Sequence, residues 1–172
     1  MDCLAGRLLI HRIQDASQIT KEQLFGWFTK MAAELEKYSR CRNGQCYRFL
    51  NPYSILVTSD DKILLLDLNA SSNAFVIRNM QRPAMREHFV RPVIHMRESS
   101  KSAPDLYGLG KTIQFMLAHT ESLISLNKLE EYLLLRIILK CLGENPKRKY
   151  ENIKQVQNDL SKTKWKIRGK KF

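Results

Sequence analysis

Cys3, Cys41, Cys46 and Cys141 include no C-x-x-C pair, and His11, His88, His95 and His119 do not stand at ligand spacing from them. A structural metal needs such donors converging in short-spaced pairs, so no structural metal is expected and no cofactor is assigned. The chain's capacity for chemistry is concentrated in its cations. Arg78, Arg82, Arg86, Arg91 and Arg97 fall in one stretch. Guanidinium forks match phosphate geometry, so these arginines suit a phosphorylated or acidic motif, or else simply solvate the surface. At the other end, residues 162–172 interleave six cations with Trp165 and Phe172. Lys164, Trp165 and Lys166 have the ingredients of a nucleic-acid patch that tracks the backbone with a stacking residue, and equally those of a solvated tail.

The elements that must position these groups belong to one domain. The chain has 172 residues, 44% of them hydrophobic and 27% charged, with only seven glycines and five prolines. Such a composition buries a core and excludes collagen-like, low-complexity and disordered classes. The net charge of +12 suits nucleic acid, an anionic surface or an acidic protein. The most apolar stretch, residues 132–142, is broken by Arg136 and Lys140, and the N-terminus lacks a signal-peptide pattern. Neither a membrane span nor secretion is expected, and the cysteines read as reduced thiols in a cytoplasmic protein.

Thr20 with Gln23 forms a capping box, and Ile19 with Leu24 a hydrophobic staple, at the start of a helix whose stripe is Leu24, Phe28, Met31, Leu35 and Tyr38. Asn43-Gly44 marks a turn. Residues 54–57 and 62–66 read as two strands of a hairpin turning through 58–61, the second buried on nearly both faces. The stretch 69–101 shows no sustained period, as a functional or disordered loop would. Pro104 opens a helix behind Ser102, with Leu106, Leu109, Ile113 and Met116 on one face. Gly108 and Gly110 weaken that helix, which implies close packing against another backbone. Further helices are expected over about 128–142, capped by Asn127 and Glu130 and stopped by Gly143, and over about 153–160, capped by Asn152 and Gln155. A short one is expected near Leu8 to Ile13. The fold class is therefore mainly α with one small β-hairpin.

The stretch from Tyr47 to Leu56, Y-R-F-L-N-P-Y-S-I-L, resembles the protein-kinase catalytic loop H-R-D-L-x-x-x-N, with Arg48 and Leu50 in register. After the hairpin, Asp67-Leu68-Asn69 stands where a kinase has D-F-G. Asp105, Tyr107 and Gly110 resemble the D-x-W/Y-S-x-G start of the kinase αF helix, and Cys141-Leu142 with residues 145–150 resembles the C-L-x-x-D-P-x-x-R-P turn. An alternative register takes Ala103-Pro104-Asp105 as a degenerate A-P-E. Tyr107, Gly110 and the immediate helix favour the αF reading, which leaves Pro92 as the A-P-E relic. The order of motifs makes the chain similar to the C-terminal lobe of a protein kinase over about residues 4 to 160. The resemblance implies a kinase C-lobe-like domain over 1–160, an activation-segment-like loop over 69–103, and a basic tail over 161–172.

Its departures bear on activity. Phe49 takes the place of the catalytic aspartate, and a phenyl ring cannot accept the substrate hydroxyl's proton, a loss typically worth a factor of about 10² to 10⁴. Ser54 replaces the asparagine that holds the second magnesium, so the loop Tyr47, Arg48, Phe49, Asn51 and Ser54 is degenerate and assigned no catalytic residue. Asp67 alone keeps a metal-binding carboxylate. Val93 and Lys149 stand where kinases pair a glutamate with an arginine, and losing both partners together avoids a buried unpaired charge. The space from His119 to Asn127 is too short for the αG helix. The glycine-rich loop, and the lysine and glutamate that pair in a kinase's N-terminal lobe, are not found in these residues. The expected function is accordingly that of a pseudokinase: an inactive kinase-like lobe acting as a protein-interaction or regulatory scaffold.

Its partner would cover an apolar surface around Leu50, Ile55, Leu56 and Leu65, as a separate N-lobe chain, a neighbouring domain or a second copy. One alternative is the C-lobe half of a serine/threonine kinase that receives its N-lobe from elsewhere. Another, less favoured, is a basic protein that binds nucleic acid or an anionic surface.

Overall fold

The structure, a computed structural model, describes residues 5–15, 19–66, 89, 92, 101–121, 124–145 and 147–168, and of 164–168 the backbone alone. Of the expected site residues, Asp67, Arg78, Arg82, Arg86 and Arg91 lie outside the described residues, and the side chains of Lys164, Trp165 and Lys166 do too.

The fold is mainly helical with a small three-stranded antiparallel sheet. In chain order the elements are β1 (Gly6–Leu8), α1 (Leu9–Gln14), α2 (Lys21–Cys41), β2 (Ile55–Thr58), β3 (Ile63–Leu65), α3 (Ala103–Thr120), α4 (Lys128–Leu142) and α5 (Ile153–Arg168). The expected hairpin is present as β2 and β3, with Ile55 opposite Leu65 and Val57 opposite Ile63. The third strand corrects the two-stranded reading: β1 pairs with β2, setting Gly6 against Thr58 and Leu8 against Leu56. β3 is also less enclosed than expected, because Ile63 is buried while Leu64 and Leu65 are only half-buried.

Local chemistry explains the helix ends. Thr20 accepts from the Gln23 amide at 3.2 Å while the Gln23 side chain accepts from the Thr20 amide at 3.0 Å, so two donors at the start of α2 are satisfied reciprocally. Asn127 and Glu130 do the same for α4, which ends on Gly143 in the left-handed region at φ 70°. At the start of α5, Asn152 accepts from the Gln155 amide at 3.1 Å. This helix runs on to Arg168 rather than stopping near Leu160, because residues 161–168 contain no helix breaker and Gly169 follows them.

The core gathers the expected α2 stripe with Phe25, Trp27 and Ala32, and joins it to Leu9 and Ile13 of α1, Leu109 and Ile113 of α3, Ile137 of α4 and Val156 of α5. At the hairpin tip, Gln23 and Lys30 of α2 bond to Asp61, which sits at φ 58°. Asp60 is held down to about 2 by hydrogen bonds from Lys62 and Thr58.

The glycines of α3 sit where its backbone meets other elements. A Cβ on Gly108 would stand 2.8 Å from the Leu50 carbonyl oxygen, and one on Gly110 would stand 2.7 Å from the Cys141 Cβ. Close approach was the reason to expect glycine there, and the loop before β2 and helix α4 are what come close. Burial raises the Cys141 thiol far above its ordinary range, so this cysteine packs as an apolar side chain rather than reacting.

Candidate functional site

The loop over residues 47–54 is held in shape by Asp105, in the first turn of α3. The Asp105 carboxylate accepts from the Tyr47 amide at 2.8 Å through Oδ2 and from the Arg48 amide at 2.6 Å through Oδ1. Asp105 is 2% exposed, and burial pushes its carboxyl up to about 6 against the opposing pull of the two N–H donors. Between those donors the backbone is strained, since Arg48 sits at φ 80°, a region an arginine enters only when its surroundings hold it there.

Other contacts fix the rest of the loop. The Tyr47 hydroxyl donates to the Leu66 carbonyl at 2.7 Å, and its ring meets Tyr38 edge-on at 5.2 Å. The Ile10 amide donates to the Pro52 carbonyl at 3.0 Å, and the Leu66 amide to the Ser54 carbonyl at 2.9 Å. Asn51 is 1% exposed, with its side chain accepting from the Tyr53 amide and donating to the Phe49 carbonyl. Ser54 is wholly buried; its hydroxyl accepts from the Asn51 amide at 3.1 Å and shares its hydrogen between the carbonyls of Phe49 and Asn51. These two polar side chains therefore serve the loop's own backbone. Residues 47–54 hold no carboxylate, imidazole or thiol, and the carboxylate that touches them is engaged by two amides. A proton acceptor for a substrate hydroxyl is not among the loop's side chains.

Leu50 and Ile55 are 1% and 0% exposed, which corrects the expectation that they line an open apolar surface. Gly108 lets Leu50 sink against α3, and Ile55 points into the core from the central strand of the sheet. Leu56 and Leu65 are half-buried.

The turn between α4 and α5 is equally well fixed. Asn145 accepts from the Lys147 amide through its side chain and from the Arg148 amide through its carbonyl, and the Tyr150 amide donates to the Lys140 carbonyl at 3.2 Å. The Tyr150 hydroxyl donates to Asp159 at 2.7 Å, and Lys140 pairs with the same carboxylate at 3.1 Å while lying over the Tyr150 ring. Burial pushes the Asp159 carboxyl up, but bonds from Tyr150, Lys140 and Lys162 outweigh it and hold the group below the ordinary carboxylate range. Burial and the Asp159 charge drive the Tyr150 hydroxyl the other way, far up. Lys149 is exposed, and Val93 lies outside the described residues. Between α3 and α4 the described residues, 121 and 124–127, form no helix.

Three features were missed in the sequence. Phe89, in the stretch without period, is buried with its ring 6.1 Å from Phe115. Glu130 is both a capping residue and the ion-pair partner of Lys21, tying the start of α4 to the start of α2. Among the described residues, the large apolar side chains that are exposed lie on α4: Leu129, Tyr132, Leu135 and Leu139.

Cys41, Cys46 and Cys141 are free thiols, and no helix among the described residues is long and apolar enough to cross a membrane. No family model matches the sequence. Over an alignment of 191 positions the chain is 24% identical to a probable serine/threonine-protein kinase of Clostridium acetobutylicum, an alignment covering 95% of this chain and 28% of that protein. The chain thus spans under a third of the relative's length. Over nearly all of its residues, this mainly helical chain bears a distant likeness to a serine/threonine protein kinase.

Proposed function

We propose that the chain is an inactive kinase-like lobe that works by holding another protein, in the cytoplasm, and does not transfer phosphate. The observation that carries this reading is the loop of residues 47–54, whose shape is braced by Asp105 while Phe49 stands where catalysis would need a carboxylate. A loop kept rigid and stripped of its base keeps the use of a scaffold and loses that of a catalyst. Ser54 and Asn51, engaged with backbone groups, add no ligand for a second magnesium.

The test is phosphate incorporation from labelled ATP into a serine/threonine substrate, with the full chain alone and mixed with a kinase N-terminal lobe. No incorporation above that of an Asp67→Ala control is expected. Incorporation that Asp67→Ala abolishes refutes the proposal and installs the second reading, a C-lobe half that becomes a serine/threonine kinase with an N-lobe from elsewhere. That second reading draws on the relative, which is named a probable kinase, and on Arg48 and Asp67 at their motif positions.

A further inference from the structure

Helix α4 is apolar on two faces. Its inner face buries Leu134, Ile137, Ile138 and Cys141. Its outer face presents Leu129, Tyr132, Leu135 and Leu139, between 41% and 61% exposed, in a stripe at steps of three, three and four residues. A row of that spacing runs about 15 Å along the helix and matches the ridge of a second helix packed against it. Apolar side chains scattered singly need no explanation, whereas four in a row on one face do.

Tyr132, Leu135 and Leu139 of the stripe form one wall of an open groove of about 1020 Å³, whose other walls are residues 144, 145 and 147–150 of the turn and the flank of α5. The groove is basic. Arg136, Lys147, Arg148 and Lys149 have no acidic partner among the described residues, while Lys140 and Lys162 are paired with Asp159. Glu144 is the other acid in the lining. An occupant must therefore bring large apolar side chains at helical spacing together with carboxylates on its flank.

Charge excludes the occupants this chain could supply. Residues 69–100 carry five arginines against two glutamates, and residues 164–172 carry cations and no acid. A second copy would set one basic rim against another. Tyr132 is the one ring in the stripe on which a base could stack, whereas Leu129, Leu135 and Leu139 are aliphatic anchors that suit a protein surface, and a concave groove mates poorly with a flat bilayer.

We propose that the outer face of α4 and the turn over 144–150 form the docking groove for an acidic amphipathic helix of a partner protein. This rests on the reading of the chain as an interaction module and gives that module a face and a partner chemistry. Helix-in-groove docking reads apolar anchors at i, i+3 or i+4, and i+7, and the unpaired cations around the stripe supply orientation and steering.

The experiment selects phage-displayed random peptides on the immobilised full chain and measures the enriched sequences as synthetic peptides by fluorescence anisotropy. Enriched peptides are expected to carry large apolar residues at helical spacing among Asp and Glu. Their affinity is expected to fall about tenfold or more with Leu135→Ser or Leu139→Ser, the loss of one buried anchor, and with Arg148→Glu. These side chains are exposed, so circular dichroism should be unchanged, and exchanging a peptide glutamate for lysine should recover binding to the Arg148→Glu variant. Peptides that bind but ignore all three substitutions overturn the groove and leave the interaction module standing. No enrichment overturns the groove, and phosphate incorporation in the assay above then overturns the module as well. Binding of phosphatidylserine vesicles or single-stranded RNA that these substitutions abolish, without peptide binding, overturns the protein partner.

Discussion

Replacing Asp105 by alanine removes the acceptor of two buried hydrogen bonds at once, and the structure gives the size of the effect. The Tyr47 and Arg48 amides lose partners at 2.8 and 2.6 Å and face a methyl group in a water-poor site. An unsatisfied buried donor costs about 1–3 kcal/mol, so the pair predicts a loss of roughly 2–6 kcal/mol near neutral pH, at the lower end because removing the buried charge gives some of it back. Asp105→Asn is the milder probe: its amide oxygen serves one donor, while its amino group opposes the other.

The pH dependence then separates burial from hydrogen bonding. The Asp105 carboxyl sits at about 6 in the folded chain against an ordinary 3.8. Because the folded value is raised, the folded state binds the extra proton. The stability this contributes is fully present below the unfolded value and is lost as pH rises through about 6. The advantage of the wild type over Asp105→Asn should therefore be larger near pH 4 than near pH 7, by roughly 2 kcal/mol. Comparing the two proteins cancels the other carboxylates. Urea unfolding followed by tryptophan fluorescence at several pH values measures it, with Trp27 buried as reporter. A gap that is flat, or that widens as pH rises, refutes the reasoning: the two amides would then outweigh burial and favour the carboxylate.

Gly108→Ala and Gly110→Ala should each destabilise by about 1–3 kcal/mol, because the new methyl would meet the Leu50 carbonyl and the Cys141 Cβ, whereas Gly26→Ala in α2 meets nothing within 4 Å and should stabilise by up to about 1 kcal/mol. Urea midpoints of the three variants check this, and equal effects at the three sites contradict it. Ser54→Ala should cost about 1–3 kcal/mol through the Asn51 amide alone, since the Phe49 and Asn51 carbonyls keep other donors. Denaturant unfolding and amide exchange at Asn51 read that loss. Tyr150→Phe should lower stability by about 1 kcal/mol in thermal unfolding and let the Asp159 carboxyl rise toward its ordinary range in an NMR titration.

What the sequence disclosed follows the range of each interaction. The caps of α2 and α4 were legible because Thr20 with Gln23, and Asn127 with Glu130, are reciprocal contacts three residues apart. Gly108 and Gly110 signalled close approach without naming what approaches. β1 left no trace, because three residues hold too little alternation to be seen until β2 lies beside them. The outer stripe of α4 stayed hidden because residues 132–142 are apolar almost throughout, so periodicity could not say which face is covered. Leu50 and Ile55 were assigned to an open surface by analogy with a two-lobed enzyme, and packing against α3 and within the sheet put them in the core instead. Asp105 stood out by motif, but its task depends on amides 57 and 58 residues away.

That separation makes the loop over 47–54 a property inherited only with the whole fold. Its strained Arg48 is kept in place by a side chain from α3, its middle by an amide of α1, and its end by the residue that follows β3. A fragment ending before residue 103 would retain every loop residue and lose the conformation. Grafting those eight residues into another protein would transfer the letters without the shape.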